Sequence, residues 1–441
     1  MKAVLSNKLY LLLIIFSLFL FPLLYFFYYD PQSALWCDEF HAHIPQINYF
    51  INHPLNIIHF KVYIPNFPGY HLFIAYLSIL FHIKVVYLNT WVIKIINSLF
   101  AYGILIILWN LIRNFCHDDW KTFCLCLPIA CSYYILGSAT WLSTDNGALF
   151  FFVSILYLLE VHPIKWLIAL CTFLMVFWRQ LFLPVIGVFW LPLLFSKNRK
   201  QTLLVAILAS APVLILAGIY FLSWGGLTPP TPWIRHHHIL IFMSRVNLIQ
   251  LLALVGILGL PYIFLFCSDR AIQYSKKQLF MIIVASLISA LVLWMITPST
   301  YLDTKDGGLG VRYGSIVWQL STFFPYFNLG DKSLLVLLFS LPGAFILILM
   351  TLRAIRLNYY PTELVMFFLY ITAYACQTFP FQRYVEPILL ITMSVHGARM
   401  VTKTSWQFYV PIVYLLYPMG MLILGGWGIV GIVHKSSMCV L

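Results

Sequence analysis

The sequence predicts an all-α fold: a polytopic bundle of transmembrane helices with short interfacial helices in its first outside loop. Three observations carry that prediction. Of 441 residues, 62% are hydrophobic and only 9% are charged, where a soluble domain carries about 25% charged residues. Apolar stretches near the ~20 residues needed to cross a bilayer recur along the whole chain. The basic residues stand between those stretches in short clusters, the arrangement that sets membrane topology. A soluble core cannot absorb so much apolar surface, so the solvent is lipid, where backbone polar groups must be satisfied within helices or closed barrels. The net charge of +13 does not imply a nucleic-acid partner, because the cations are dispersed rather than gathered on one face. The whole chain, 1–441, is read as one membrane domain.

Taken in order, Lys2 and Lys8 precede an apolar run ending at Tyr29. No small-residue cleavage site follows it, which predicts a retained span rather than a signal peptide. The positive-inside rule puts the N-terminus in the cytoplasm and the loop from Asp30 on the outside. Basic clusters then recur at Arg113 with Lys121, at Lys165, in "SKNRK" (196–200), at Arg270 with Lys276 and Lys277, at Arg353 with Arg356, and at Arg399 with Lys403. All are cytoplasmic if spans run over 9–29, 88–112, 122–138, 147–161, 164–177, 181–195, 203–222, 248–267, 279–297, 333–352, 363–377, 385–397 and 407–431. That makes about thirteen helices with an outside C-terminus, the shorter ones dipping or tilting. The stretch 45–87 reads as interfacial helices broken at Pro54, Pro65 and Pro68. Within it, 69–81 is apolar enough for a short span that would invert everything after it, and the later basic clusters argue against that. Cys124, Cys126 and Cys131 lack metal-ligand spacing and are expected to be small core residues.

With only 13 acidic residues, each can be placed. Asp118, Asp119, Glu160, Asp269 and Glu363 fall with the cytoplasmic basic clusters and are expected to solvate loops. Asp30, Asp38, Glu39, Asp145, Asp303, Asp306, Asp331 and Glu386 lie outside, together with His41, His43, Arg179, Arg235, His236, His237, His238, Arg312 and Arg383. Ionisable groups converging at helix ends on one face of a membrane point to function. The competing reading of the adjacent pair in "WCDEFHAHIPQ" (36–46) is solvation of an interfacial loop. The triple histidine fits a phosphate or metal site and equally a polar interface belt. No His and acid pair has the spacing of a helical zinc site, so no metal ligands are assigned. "DGGLGVRYG" (306–314) matches neither phosphate-binding fingerprint and follows no strand, so no nucleotide site is expected.

A long first outside loop with an early acidic pair, a second acid opening a later outside loop and many spans resemble the GT-C glycosyltransferases, which take sugars from lipid-phosphate carriers. Within them the chain resembles the eukaryotic dolichyl-phosphate-glucose α-1,2-glucosyltransferases, which add the last glucose to the N-glycan precursor. "DEFHAHIPQ" (38–46) resembles that family's D-E-x-F-H-x-P-Q, with one extra residue before His43. "STDNGALFF" (143–151), "FWRQLFLPVIGVFW" (177–190) and "FPFQRYVEPILL" (379–390) are similar to its T-E-x-G-x-x-F-F, F-R-Q and F-R-Y-x-x-x-P segments, in the same order. The family's Gly-Asp-Lys and His stretch is not recognisable in "WGGLTPPTPWIRHHH" (224–238), and Trp36-Cys37 replaces its Tyr-Met. These departures bear on donor sugar, acceptor and linkage more than on reaction class.

The resemblance implies a donor whose leaving group is a lipid phosphate, so the site must deprotonate an acceptor hydroxyl and stabilise an anion. A carboxylate at a water–lipid boundary suits the first task, since partial desolvation raises its pKa toward the working pH. Asp38 is the candidate base, with Glu39 orienting it or binding the acceptor. Fixed cations suit the second, Arg above all for bidentate phosphate contact; Arg383, Arg179 and Arg235 with His236, His237 and His238 are the candidates. A structural pairing of Arg179 or Arg383 with a buried acid such as Asp145 is the competing reading. His41, His43, Gln46, Asp145 and Tyr384, which stand in the matched segments, are expected to bind or orient the acceptor. The expected partners are membrane lipid, a dolichyl- or polyprenyl-phosphate sugar and a lipid-linked glycan acceptor, used by a monomer, with a divalent cation as an optional cofactor. The setting is the endoplasmic reticulum membrane in a eukaryote, with a lumenal site, or the inner membrane in a bacterium, with a periplasmic one. The alternatives are a bacterial transferase that decorates an envelope glycan or lipid, and, from other classes, a transporter or flippase or a non-catalytic subunit of a membrane complex.

Overall fold

The computed structural model describes residues 39–58, 65–83, 91–140, 142–195, 198–229, 243–267, 274–297, 316–317, 320, 324–356, 360–377 and 382–400. The expected spans 9–29 and 407–431 lie outside these residues. The described chain is mostly helical, as the composition predicts. A π turn at Glu39–His43 runs into α1 (Ile44–Asn52), followed by α2 (Gly69–Leu80), α3 (Trp91–Cys116), α4 (Asp119–Ala130), α5 (Tyr133–Thr140), α6 (Asp145–Glu160) and α7 (Lys165–Trp178). A mixed helical segment over Gln180–Ile186, Gly187–Trp190 and Leu191–Leu194 leads to α8 (Arg199–Trp224). The chain continues with α9 (Arg245–Cys267), α10 (Lys276–Ile296), a two-residue hairpin of β1 (Asn328–Leu329) and β2 (Lys332–Ser333), α11 (Leu334–Arg356), α12 (Thr362–Ala375) and α13 (Gln382–Ala398).

Among the described residues, five helices are long and apolar enough to cross a membrane: Ile93–Cys116, Arg199–Trp224, Arg245–Ile263, Lys276–Ile296 and Leu334–Arg356. α10 has only 17% of its apolar window buried and α8 only 28%, and exposed Phe280, Met281, Ile288 and Met295 line the former. Helices that expose this much hydrocarbon are stable in lipid and not in water. The chain is therefore an all-α membrane protein.

Two expected spans take another form. The stretch 122–138 is two helices, α4 and α5, divided at Cys131–Ser132. Pro128 removes a backbone donor inside α4, and Ser132 Oγ accepts from the Ile135 N–H at 3.4 Å, starting a new helix. The stretch 181–195 is broken into 3₁₀ and α pieces, with Pro184 and Pro192 in its two 3₁₀ parts. The apolar stretch 69–81 forms the 12-residue α2, about 18 Å long at 1.5 Å per residue and too short for a ~30 Å hydrocarbon core.

The chain divides into two compact units. The first takes in residues 1–111, 130–239 and 427–441. In it α7 packs on both α6 and α8. Gly69 lies against the Phe177 carbonyl and Gly147 against the Trp178 indole, so a Cβ at either would clash with α7. Phe73, Phe100 and Phe151 crowd around Trp178, and Phe150 packs on Phe100, in a tilted and edge-to-face aromatic cluster.

The second unit takes in residues 112–129 and 240–426. Its centre is the contact of α9 with α11. A Cβ on Gly256 would clash with the Phe339 carbonyl oxygen, and one on Gly343 with that of Leu252, so the two helices meet backbone to backbone as small residues in membrane helices allow. α13 packs on α9, where Tyr262 Oη and Ser394 Oγ are 2.8 Å apart. Cys124 and Cys126 in this unit, and Cys131 in the first, are buried as expected.

Glu363 departs from its expected place. It is 0% exposed rather than solvating a cytoplasmic loop. Its carboxylate accepts from Arg399 Nη2 at 3.3 Å and pairs with His396 Nδ1 at 2.9 Å. Arg353 Nη2 donates to the Arg399 carbonyl at 3.3 Å, and the Arg399 guanidinium lies 4.1 Å over the Phe115 ring. A carboxylate read as loop solvation thus ties four helix ends together, because charges so far from water must be compensated.

Candidate functional site

The first unit gathers three of the four sequence stretches that carry the family resemblance. Residues 65–67, ahead of α2, are fastened to the two later stretches by side-chain amides. Gln180 Nε2 donates to the Pro65 carbonyl, and its Oε1 accepts from the Phe67 N–H at 3.0 Å. Asn66 Nδ2 donates to Thr144 Oγ1 at 3.4 Å. Prolines at 65 and 68 leave this part of the loop without a helical hydrogen-bond ladder, and Gln180 supplies part of what the ladder would have given.

Asp145 opens α6, where the N-terminal helix dipole favours a carboxylate. Arg179 ends α7 with extended backbone, φ −156° and ψ 109°, which turns its side chain out of the helical register. The two form an ion pair, with side chains 10% and 8% exposed. The structural pairing weighed for Arg179 is therefore present. Trp178 and Gln180 flank this arginine, so one "WRQ" stretch supplies an aromatic wall, a cation and the loop clamp.

The π turn at Glu39–His43 has a wider bore than an α-helix, a feature that recurs at functional sites. Within it His41 is exposed and His43 half-buried. His43 Nδ1 lies 2.8 Å from Nε2 of His71 on α2, and the two rings are nearly parallel at 10°. His71 is fully buried, with the Tyr70 ring edge-on to it at 5.1 Å; Tyr70 Oη accepts from Asn97 Nδ2 at 3.1 Å. Gln46, one α1 turn beyond His43, is 0% exposed. It is a core side chain of the loop rather than a surface one.

Of the other expected site residues, Asp38, Arg235, His236, His237 and His238 lie outside the described residues. Glu39 is placed by its backbone at the start of the π turn and Arg383 by its backbone in the first turn of α13. Tyr384 is half-buried, and its carbonyl accepts from Tyr370 Oη at 2.8 Å. Glu386, two residues on, is 0% exposed. Among the described residues no group of three or more His, Cys, Asp or Glu could hold a metal ion. His71 and Gln180 were not singled out from the sequence. Gln180 stands in a quoted motif, and His71 has a signal only as the one histidine inside the apolar stretch 69–81.

The fold and these polar groups define a polytopic all-α membrane protein with a buried ion pair and a histidine pair beside its first loop. No family model, curated protein or solved structure matches this chain.

Proposed function

We propose that this protein is a GT-C-type membrane glycosyltransferase of about thirteen spans. It transfers a hexose, glucose first among candidates, from a dolichyl- or polyprenyl-phosphate donor to a lipid-linked oligosaccharide with inversion, making an α-1,2 linkage from a β-linked donor. The observation that supports it is the fastening of the first loop, through Gln180 and Asn66, to Phe67, Pro65 and Thr144 beside the Asp145–Arg179 pair. The stretches 38–46, 143–151 and 177–190 belong to one compact unit, as a single site requires.

In this reading Asp38 accepts the proton of the acceptor hydroxyl while Glu39 orients it. The acceptor oxygen attacks the anomeric carbon, and the bond to phosphate breaks with its electrons leaving on the phosphate. Arg235 and the histidines 236–238 stabilise that anion. Asp145 holds Arg179 in place, and His41, His43, Gln46 and Tyr384 shape the acceptor side. The site faces the lumen of the endoplasmic reticulum or, in a bacterium, the periplasm.

The test is turnover by purified protein in detergent or nanodiscs with polyprenyl-phosphate glucose and a glycolipid acceptor, and no ion gradient. Formation of an elongated glycolipid is the expected result. Absence of transfer across a panel of lipid-phosphate sugars, with gradient-driven uptake of the same compounds into vesicles, would establish a transporter or flippase instead.

A further inference from the structure

The C-terminal end of α10 carries more positive charge than a helix end needs. Lys332, on β2, donates from its ammonium to the Met295 carbonyl and, at 3.3 Å, to that of Trp294. Arg245, the first residue of α9, donates from Nη1 to the next carbonyl along, that of Ile296, at 2.8 Å. The last carbonyls of a helix amount to about half a negative charge, set here against two full cations. Neither cation forms an ion pair among the described residues. Asp331, beside Lys332 in sequence, is exposed in the turn of the hairpin, and counting it in full leaves the balance positive. Donors are left over as well. A lysine ammonium has three N–H groups and a guanidinium five, and these contacts leave at least one on each. Arg245 is exposed and Lys332 half-buried.

This helix end stands at a membrane surface. α10 and α11 are each long and apolar enough to cross a bilayer, and they pack on one another. The hairpin just before α11 is held against the end of α10: Trp294 Nε1 donates to the Ser333 carbonyl at 2.9 Å, and the Lys332 ammonium lies 5.2 Å over the Trp294 ring. Ahead of β2, Tyr326 is 97% exposed, and Phe324, Phe327 and Leu329 are exposed with it, as aromatic and apolar side chains are at headgroup level. Phe327 and the α11 residues Leu334, Leu338 and Leu341 border a groove of about 240 Å³ lined by phenylalanine and leucine alone. Leu334 is two residues from Lys332, so the groove begins beside the cations. It is smaller than the roughly 300 Å³ at which pockets for drug-sized molecules begin, and it offers a sugar no polar side chain. A stretch of one hydrocarbon chain suits it. We propose that the end of α10 and the hairpin bind one anionic phospholipid, its phosphate on the spare N–H groups of Lys332 and Arg245 and one acyl chain in the groove beside Phe327. A zwitterionic lipid fits less well, because its own cation would meet the lysine and the arginine. The site goes beyond the transferase reading and uses none of the residues assigned to catalysis.

The test uses full-length protein in detergent, with phosphatidylglycerol or phosphatidylcholine added and bound lipids counted by native mass spectrometry. Wild type should take up its first phosphatidylglycerol at a concentration about tenfold or more below that for phosphatidylcholine, the advantage two cations confer at a membrane surface. The double substitution Lys332→Gln/Arg245→Gln keeps N–H donors for the α10 carbonyls and removes both charges. It should abolish the preference and leave phosphatidylcholine binding as in wild type. Equal affinity of wild type for the two lipids, or an undiminished preference in the folded double variant, overturns the proposal. Polyprenyl phosphate forms a third arm. If it displaced phosphatidylglycerol from wild type at a lower concentration than phosphatidylglycerol itself requires, the site would belong to the carrier lipid and the proposal would fail. Where the double variant does not fold, Leu338→Trp, at an exposed position, fills the groove instead. Long-chain phosphatidylglycerol should then bind about fivefold more weakly through lost apolar contact, with its preference over phosphatidylcholine kept. Unchanged binding by that variant overturns the proposal.

Discussion

Asp145, the first residue of α6, and Arg179, the residue at which α7 ends, form an ion pair with neither side chain more than 10% exposed. Removing one partner leaves a buried charge without compensation, which costs about 3–5 kcal/mol, while removing both charges together costs far less. Arg179→Ala and Asp145→Ala are each expected to lower the thermal midpoint of the detergent-solubilised protein sharply. The double substitution Asp145→Asn/Arg179→Gln should recover most of the loss. A double variant no better than the sum of the single ones would show that the two side chains are not coupled.

Glu363 makes a parallel case in the second unit. Its carboxylate is the acidic partner of both His396 and Arg399, and it is fully buried. Glu363→Gln is expected to destabilise by roughly 3 kcal/mol, since the Arg399 guanidinium loses its anion and the His396 ring its carboxylate partner in a water-poor site. Glu160→Gln, at the half-buried C-terminal end of α6, should shift stability by less than Glu363→Gln does. Thermal denaturation of the two variants side by side separates a buried clamp from loop solvation.

The membrane class was legible because apolar run length and the placement of Lys and Arg are one-dimensional signals. The expected spans 203–222 and 279–297 lie within four residues of α8 and α10. Where the chain departs from expectation, the cause is tertiary. The break at Cys131–Ser132 depends on a serine hydroxyl capping the next helix, and hydropathy cannot register a cap. Glu363 stands beside a basic cluster in sequence, and nothing local distinguishes a solvating acid from one folded against a histidine and an arginine. Of the candidate site, "STDNG" and "FWRQ" pointed to Asp145 and Arg179. Their pairing, and the clamp by Gln180, depend on helix ends meeting. His71 was invisible as a partner of His43 because the two are 28 residues apart and belong to different helices.

Gly256 and Gly343 leave no room for a side chain between α9 and α11. The obstructing atoms are backbone carbonyls, which cannot swing aside as a flexible side chain would. Gly256→Val is expected to cost at least about 3 kcal/mol, above the usual range for overpacking a core. Gly218→Val, where a Cβ meets nothing within 4 Å, should be tolerated on a lipid-facing helix. Yield of monodisperse protein after detergent extraction, with thermal midpoints, gives the comparison; equal behaviour of the two variants would mean α9 and α11 do not pack this closely.

The catalytic carboxylate is expected to be Asp38. Adjacent residues on a helical turn diverge by about 100°, so Asp38 and Glu39 cannot face one acceptor hydroxyl equally, and the resemblance assigns the base to the first acid of the pair. Asp145 is the rival, but its carboxylate is already engaged in the ion pair with Arg179. Asp38→Asn keeps size and hydrogen bonding while removing basicity, so kcat should fall by roughly 10²–10⁴ with donor KM little changed. Glu39→Gln should do less harm, and both variants should express normally because neither change empties a packed core. Asp145→Asn should lower stability more than it lowers turnover per folded molecule. If folded Asp145→Asn lost all turnover while Asp38→Asn retained most of it, the base would be Asp145, and its pairing with Arg179 would have to open during the reaction.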